Sequence, residues 1–262
     1  NMAHLGARAF EEIGGEVVQT TSFVICNMHI DDYKGEYCRL IEPTTQQGKE
    51  DMFLAGENKY VSNQTNFDKI PGSPVAYWVS SQCVNSFNLN KLADFAECKS
   101  GIMTGNDAKF TKYWHEVNII SCDLDCDNLK YKDSECTWFP INTGGFKKWY
   151  GNLELVVNIS NHGNEIKNEP NTNYRLRDEE YYFNEGIVWS EICTGTFSSR
   201  YCRENTLFFV TAPLIKVKEK IFLWYLLALT NSKYANYIFD IINPTLHYNI
   251  GCIESLPVNF TD

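Results

Sequence analysis

Hydrophobic positions along the 262 residues keep no long period; they come in short runs cut by turn residues, the texture of short strands. The stretch LGARAFEEIGG predicts a short helix over 7–13, stopped by Gly14-Gly15, with a β-rich run over 17–26 after it. A second strand is predicted over 35–41 (GEYCRLI), and the ionic DDYKGE between them gives the pair the form of a hairpin. A lone hairpin buries too little surface to stand by itself, so it reads as the last edge of a sheet whose other strands lie upstream of residue 1. EPTTQQGKEDMFLAG then reads as a linker entering a short helix.

From about residue 61 the strands become shorter and more frequent. PGSPVAYWVS (71–80) is a turn into an aromatic segment, followed by a short helix near 90–95. Strands are predicted at Trp138–Asn142, 153–159, 187–192 and 207–211. KEKIFLWYLLALTNSKYANYIF (218–239) has apolar residues at 222, 226, 229 and, past a polar step, 237, which predicts one long core helix. Scattered strands with a late helix predict an α+β fold. No internal repeat and no low-complexity tract is visible.

Composition narrows the classes. With 44% hydrophobic and 14% aromatic residues the chain is not of the disordered type. The longest apolar run, IFLWYLLAL (221–229), is half of the roughly eighteen residues that a membrane helix needs, so no membrane span is expected. NMAHLGARAF has neither an initiator Met at position 1 nor a signal-peptide core, which predicts a piece cut from a longer protein. The ten cysteines are scattered singly, as in a reducing cytoplasm. Only Cys122, Cys126 and Cys136 cluster, and no fourth ligand stands at zinc spacing, so no metal is expected. The net charge is −10, with 5 basic against 10 acidic side chains in residues 1–60 and 4 against 5 in residues 204–262. Any cationic surface must therefore be local.

GIMTGNDAKF (101–110) offers two glycines, a threonine and a lysine, yet it matches neither the phosphate-loop nor the dinucleotide spacing. Hydrolase signatures such as Gly-x-Ser-x-Gly and His-Glu-x-x-His are missing from the sequence. Asn243-Pro244-Thr245-Leu246 lacks the second proline and the aromatic of the tetrapeptide that adenine methyltransferases use, and reads as a turn ending the long helix. What remains is four loop-like segments: GIMTGNDAKFTKYW, NTGGFKKWYG, YRLRDEEYYF and TGTFSSRYCRE. Their mixture suits nucleic acid, since Arg and Lys meet phosphates, Asn and Arg read base edges, and Gly lets the backbone come close. Read instead as ordinary surface turns, they would bury aromatics such as Trp149 and Phe197 in the core.

Six segments together resemble a known family: LGARAFEEIGGEVVQTTSFVI (5–25), IPGSPVAYWVS (70–80), FAECKSGIMTGNDAKFTKYWHEV (95–117), FKKWYGN (146–152), IVWSEICTGTFSSRY (187–201) and INPTLHYNIGCIESLPV (242–258). In this order they resemble the C-terminal half of PglX-type adenine-specific DNA methyltransferases of BREX phage-defence systems. The specificity regions of type IIG and type I restriction-modification enzymes are similar more loosely. The resemblance implies that residues 1–60 are the tail of a Rossmann-like catalytic domain and that 61–262 form a DNA target recognition domain. It implies a site-specific, S-adenosylmethionine-dependent adenine methyltransferase for the full-length protein. The methyl-donor and Asn-Pro-Pro-aromatic motifs would lie upstream, leaving this chain alone inactive and without catalytic or cofactor-binding residues.

By the same resemblance GIMTGNDAKF is the entry segment of the recognition module and HYNIGCIESLPV its closing segment. The implied partners are double-stranded DNA, the upstream methylase domain and other defence-system proteins, in the cytoplasm. Phosphate contacts are then expected from Lys109, Lys112, Lys147, Lys148, Arg200 and Arg203, and base or backbone contacts from Asn106, Arg175, Arg177, Ser198 and Ser199. The alternative is a protein-interaction module that docks partner proteins or a DNA-mimic inhibitor on its acidic surface.

Overall fold

Strand β1 (Met2–Gly6), which shows no alternation in the sequence, is the element around which the N-terminal sheet is built. It pairs antiparallel with β2 (Thr20–Phe23) and parallel with β3 (Lys34–Arg39), and β4 (Lys59–Asn63) joins β3 antiparallel, giving the order β2-β1-β3-β4. The predicted hairpin is therefore not formed. β1 lies between the two strands expected to pair. The predicted helix over 7–13 is also replaced: residues 7–10 are turns and bends, entered through left-handed Gly6 (φ 67) and Arg8 (φ 57), which a right-handed helix does not accept.

The structure is a computed structural model that describes residues 1–260 except 11, 14–17, 29, 171 and 244. The expected break at Gly14-Gly15, the strand start at Val17 and the turn residue Pro244 lie outside the described residues. The chain divides into two compact units, Asn1–Asn88 and Leu89–Asp262. Residue 60, the boundary expected from the sequence, falls inside β4.

In the first unit α1 (Gln46–Ala55) begins at Thr45, whose hydroxyl accepts from the Gly48 N–H, and stops at left-handed Gly56 (φ 73). Its Lys49 is turned inward and only 3% exposed, donating to the carbonyls of Leu5 (2.7 Å) and Leu40 (2.8 Å). Burial lowers its pKa. Tyr37 stacks on Tyr77 with centroids 4.8 Å apart and meets Phe67 edge-on, and α2 (Ser81–Ser86) ends the unit.

The second unit holds two four-stranded sheets. Along the chain come α3 (Leu92–Phe95), β5 (Ala96–Lys99), α4 (Asp107–Phe110), β6 (Thr111–Tyr113), β7 (Trp138–Asn142), β8 (Leu155–Asn158) and α5 (Ser160–Lys167). β9 (Gly186–Trp189), β10 (Ser199–Cys202), β11 (Leu207–Phe208) and β12 (Leu214–Val217) follow. One sheet has the order β10-β9-β12-β5 and the other β11-β7-β8-β6. The core between them is rich in aromatics, with Phe110, Phe139, Tyr182, Phe183 and Phe208 all buried. The four predicted strands are all present, and the mixed α+β class stands.

The long helix predicted over 218–239 is two helices, α6 (Phe222–Thr230) and α7 (Lys233–Ile242), with α8 (Ile250–Glu254) after them. The polar step is the break. Asn231 spends its side-chain amide on the Ser199 carbonyl (2.9 Å) and hydroxyl (2.8 Å), while extended Ser232 caps α7 through the Ala235 N–H (3.1 Å). No helix among the described residues is long and apolar enough to cross a membrane.

Candidate nucleic-acid interface

The segment over 143–152, TGGFKKWYGN, leaves the end of β7 and returns toward β8 as a loop whose backbone is tied at many points. The Gly144 N–H donates to Thr211 Oγ1 (3.0 Å) and Ser190 Oγ donates to the Gly145 carbonyl (2.6 Å). Asn152 Nδ2 faces the carbonyls of Thr143, Gly144 and Gly145 at 3.4, 3.1 and 2.9 Å, closing the base of the loop. Farther on, the Trp149 N–H donates to the Ser199 carbonyl and its carbonyl accepts from the Tyr201 N–H, both at 2.9 Å, so this residue extends the β10 edge. Trp149 (φ 73) and Asn152 (φ 57) sit in the left-handed region, as do Gly145 and Gly151. Such a backbone costs about 1–3 kcal/mol at each non-glycine residue, and it persists only where surrounding bonds over-determine it.

The side chains that this frame holds out to solvent are apolar and cationic. Phe146 is 64% and Trp149 53% exposed, Tyr150 and Lys147 are exposed too, and Arg203 lies over the Tyr150 ring with 5.2 Å from guanidinium carbon to centroid. Arg203 also lines a cavity of about 210 Å³ together with Trp114 and Asn205. Cations next to open aromatic faces meet phosphates and stack on bases.

The residues expected at the interface are divided by the structure. Lys147 and Arg203 are open. Lys148 is half-buried, its ammonium donating to the Asn231 carbonyl at 3.4 Å. Asn106 caps α4 through the Lys109 N–H and also donates to Glu169 Oε1 (3.0 Å), and Lys109 pairs with Glu169 Oε2 at 2.6 Å. Those two partners, Lys109 first, hold the Glu169 carboxyl below its ordinary pKa. Lys112 donates to the Ala108 carbonyl (2.5 Å), Arg175 to Ser100 Oγ (3.3 Å), and exposed Arg177 lies 3.9 Å from Asp178.

Arg200, Ser198 and Ser199, expected at the interface, are instead fully buried. Arg200 donates to Ser190 Oγ (3.2 Å) and to the Thr143 carbonyl, and burial among neutral oxygens pulls its pKa down to about 10. Ser199 Oγ shares a 2.7 Å hydrogen bond with Thr230 Oγ1, and Ser198 Oγ faces Ser190 Oγ at 3.4 Å. Of the three, Arg200 braces the loop that carries Lys147 through the Thr143 carbonyl, and Ser199 does so through its own main-chain carbonyl, which accepts from the Trp149 N–H.

GIMTGNDAKF likewise spends its groups within the fold. Thr104 bonds Asp107 (2.5 Å), Asn106 is a helix cap, Gly105 is left-handed, and Gly101 lets the backbone of β11 pass close by.

Against known proteins, the chain is 38% identical over 272 residues to the adenine-specific methyltransferase PglX of Lacticaseibacillus casei (strain Zhang), matched along 98% of its own length. It is 39% identical over 263 residues to the adenine-specific methyltransferase BrxX of Escherichia coli O9:H4 (strain HS), again along 98%. The chain belongs to the PglX-type proteins. It spans about a fifth of the length of these curated relatives, 22% and 21%. No family profile matches it.

Within this PglX-type chain, Phe146, Trp149 and Tyr150 are the interface candidates that the sequence reading passed over. Read as an ordinary turn, the segment would bury Trp149 in the core, as the 194–204 segment would bury Phe197. Phe197 is indeed fully buried, whereas Trp149 is half open, its left-handed backbone standing at the sheet edge. The usable signal was the bracket Gly144-Gly145 and Gly151-Asn152, which marks both ends of a loop with unusual backbone angles.

Proposed function

We propose that the chain supplies DNA target recognition to an adenine-N6 DNA methyltransferase acting in phage defence, in the cytoplasm, with S-adenosylmethionine held elsewhere in the full-length protein. The unit Leu89–Asp262 is then the recognition module, and Asn1–Asn88 the end of the catalytic domain. The 143–152 loop carries this reading. A strained and multiply bonded backbone that presents Phe146, Lys147, Trp149 and Tyr150 to solvent serves contact with something outside the chain. Duplex DNA accepts both the cations and the rings.

The direct test is selection of a randomised duplex library by the full-length protein at low salt, with sequencing of what is retained. Enrichment of one short motif containing an adenine supports the reading, and no enrichment refutes it. On the selected duplex, Lys147→Ala and Arg203→Ala are each expected to lower the slope of log affinity against log salt by about 1, read by fluorescence anisotropy across a salt series. Lys148→Ala should change it less, since that ammonium is tied to the Asn231 carbonyl.

The net charge of −10 favours a second reading, a face that docks defence-system proteins or a DNA-mimic inhibitor. Competition separates the two: a docking face distinct from the loop keeps its partner when duplex is added.

A further inference from the structure

Resting on the DNA-recognition reading, we infer that Phe146 is a wedge, its ring entering the base stack beside the target adenine as that base is turned out. The ring is 64% exposed and has no polar atom of its own, so contact with base faces removes apolar surface from water that nothing in the fold covers. The backbone under it is fixed. The Gly145 carbonyl, one residue before, accepts both Ser190 Oγ (2.6 Å) and Asn152 Nδ2 (2.9 Å), and Gly144 is pinned to Thr211. A ring on such a backbone loses little freedom on insertion, because it has only two side-chain torsions to fix.

Cations stand beside it to hold the duplex in place. Lys147 follows Phe146 and is exposed, and Arg203 is parked on the Tyr150 ring of the same loop. Trp149 is tied to β10 through both of its main-chain groups, which holds it at the sheet edge; Phe146 lies outside that tie. Apolar side chains of this kind unstack a base step and fill the space opened there, and extrusion of a base from a duplex requires that the stack be opened.

The test uses the full-length protein and a duplex bearing its selected motif with 2-aminopurine at the target adenine, a base whose fluorescence rises when its stacking neighbours are lost. Wild-type protein is expected to give a large rise. Phe146→Ala should keep the wild-type salt slope and thermal unfolding, lose most of the fluorescence rise, and methylate on the order of tenfold more slowly. Phe146→Leu, still an apolar wedge, should restore most of both signals. A full rise with Phe146→Ala overturns the wedge and leaves DNA recognition standing; a wild-type protein that selects no motif overturns both.

Discussion

Gly101→Ala is expected to lower the melting temperature of the second unit by roughly 10 °C, corresponding to about 3 kcal/mol or more for a unit of this size. An added Cβ would lie 2.2 Å from the Phe208 carbonyl oxygen and 2.5 Å from both the Phe209 carbonyl carbon and its oxygen. Those are backbone atoms and cannot swing away. The neighbouring Ile102 N–H donates to the same Phe208 carbonyl (2.9 Å), so separating the two segments would also stretch a hydrogen bond. Five of the six tryptophans, all but Trp78, belong to the second unit, so tryptophan fluorescence reports its unfolding. Gly195→Ala is the control, since its Cβ would meet nothing within 4 Å, and it should melt like wild type. Equal melting of the two variants would show that the close approach at Gly101 is not what packs β11.

Arg200 carries the second large effect, and the direction depends on what replaces it. Its side chain is fully buried, its bonded partners are the neutral oxygens of Ser190 and Thr143, and its Nε has no partner. Arg200→Ala removes a large side chain from a closed site and leaves the Thr143 carbonyl with only the 3.4 Å contact from Asn152, so a loss of about 3–5 kcal/mol is expected in denaturant unfolding. Arg200→Met fills most of the volume and removes a charge that burial disfavours, so it should recover most of that stability. The loop should not recover. Without the guanidinium, the Thr143 carbonyl is held by Asn152 alone, and the loop loses one of its anchors beside Thr211 and Ser190. DNA affinity of the full-length Arg200→Met protein is therefore expected to fall on the order of tenfold while its unfolding midpoint stays near wild type. Wild-type affinity with Arg200→Met would show that Asn152, Ser190 and Thr211 suffice to hold the loop.

Several elements could be read from the chain alone, for local reasons. Trp138–Asn142 is a strand in both readings because aromatic and β-branched residues are bounded there by turn formers. The α+β class followed from many such short runs. Ser199-Arg200-Tyr201-Cys202 has the composition of a surface turn, yet it forms β10. It is buried because β9 lies on one side and the Trp149 segment on the other, and no periodicity encodes that position. The break between α6 and α7 escaped for a related cause: the amide of Asn231 finds its partners on Ser199, more than thirty residues away in sequence. Sequence logic sends an arginine to the surface, whereas Arg200 is fully buried and braces the loop from beneath. Lys147 and Arg203 were legible as charges; the open rings beside them depended on backbone angles that the sequence marks only through its glycines.

Most of the bonds that hold the 143–152 loop run from its main chain to Arg200, Ser190, Thr211, Asn152, Ser199 and Tyr201, and none of them consults the side chains at 146, 147 or 150. The loop is thus a socket with exchangeable pins. New residues grafted at those three positions would inherit the same backbone geometry, which makes them the place to begin if the loop is to be fitted to a different partner.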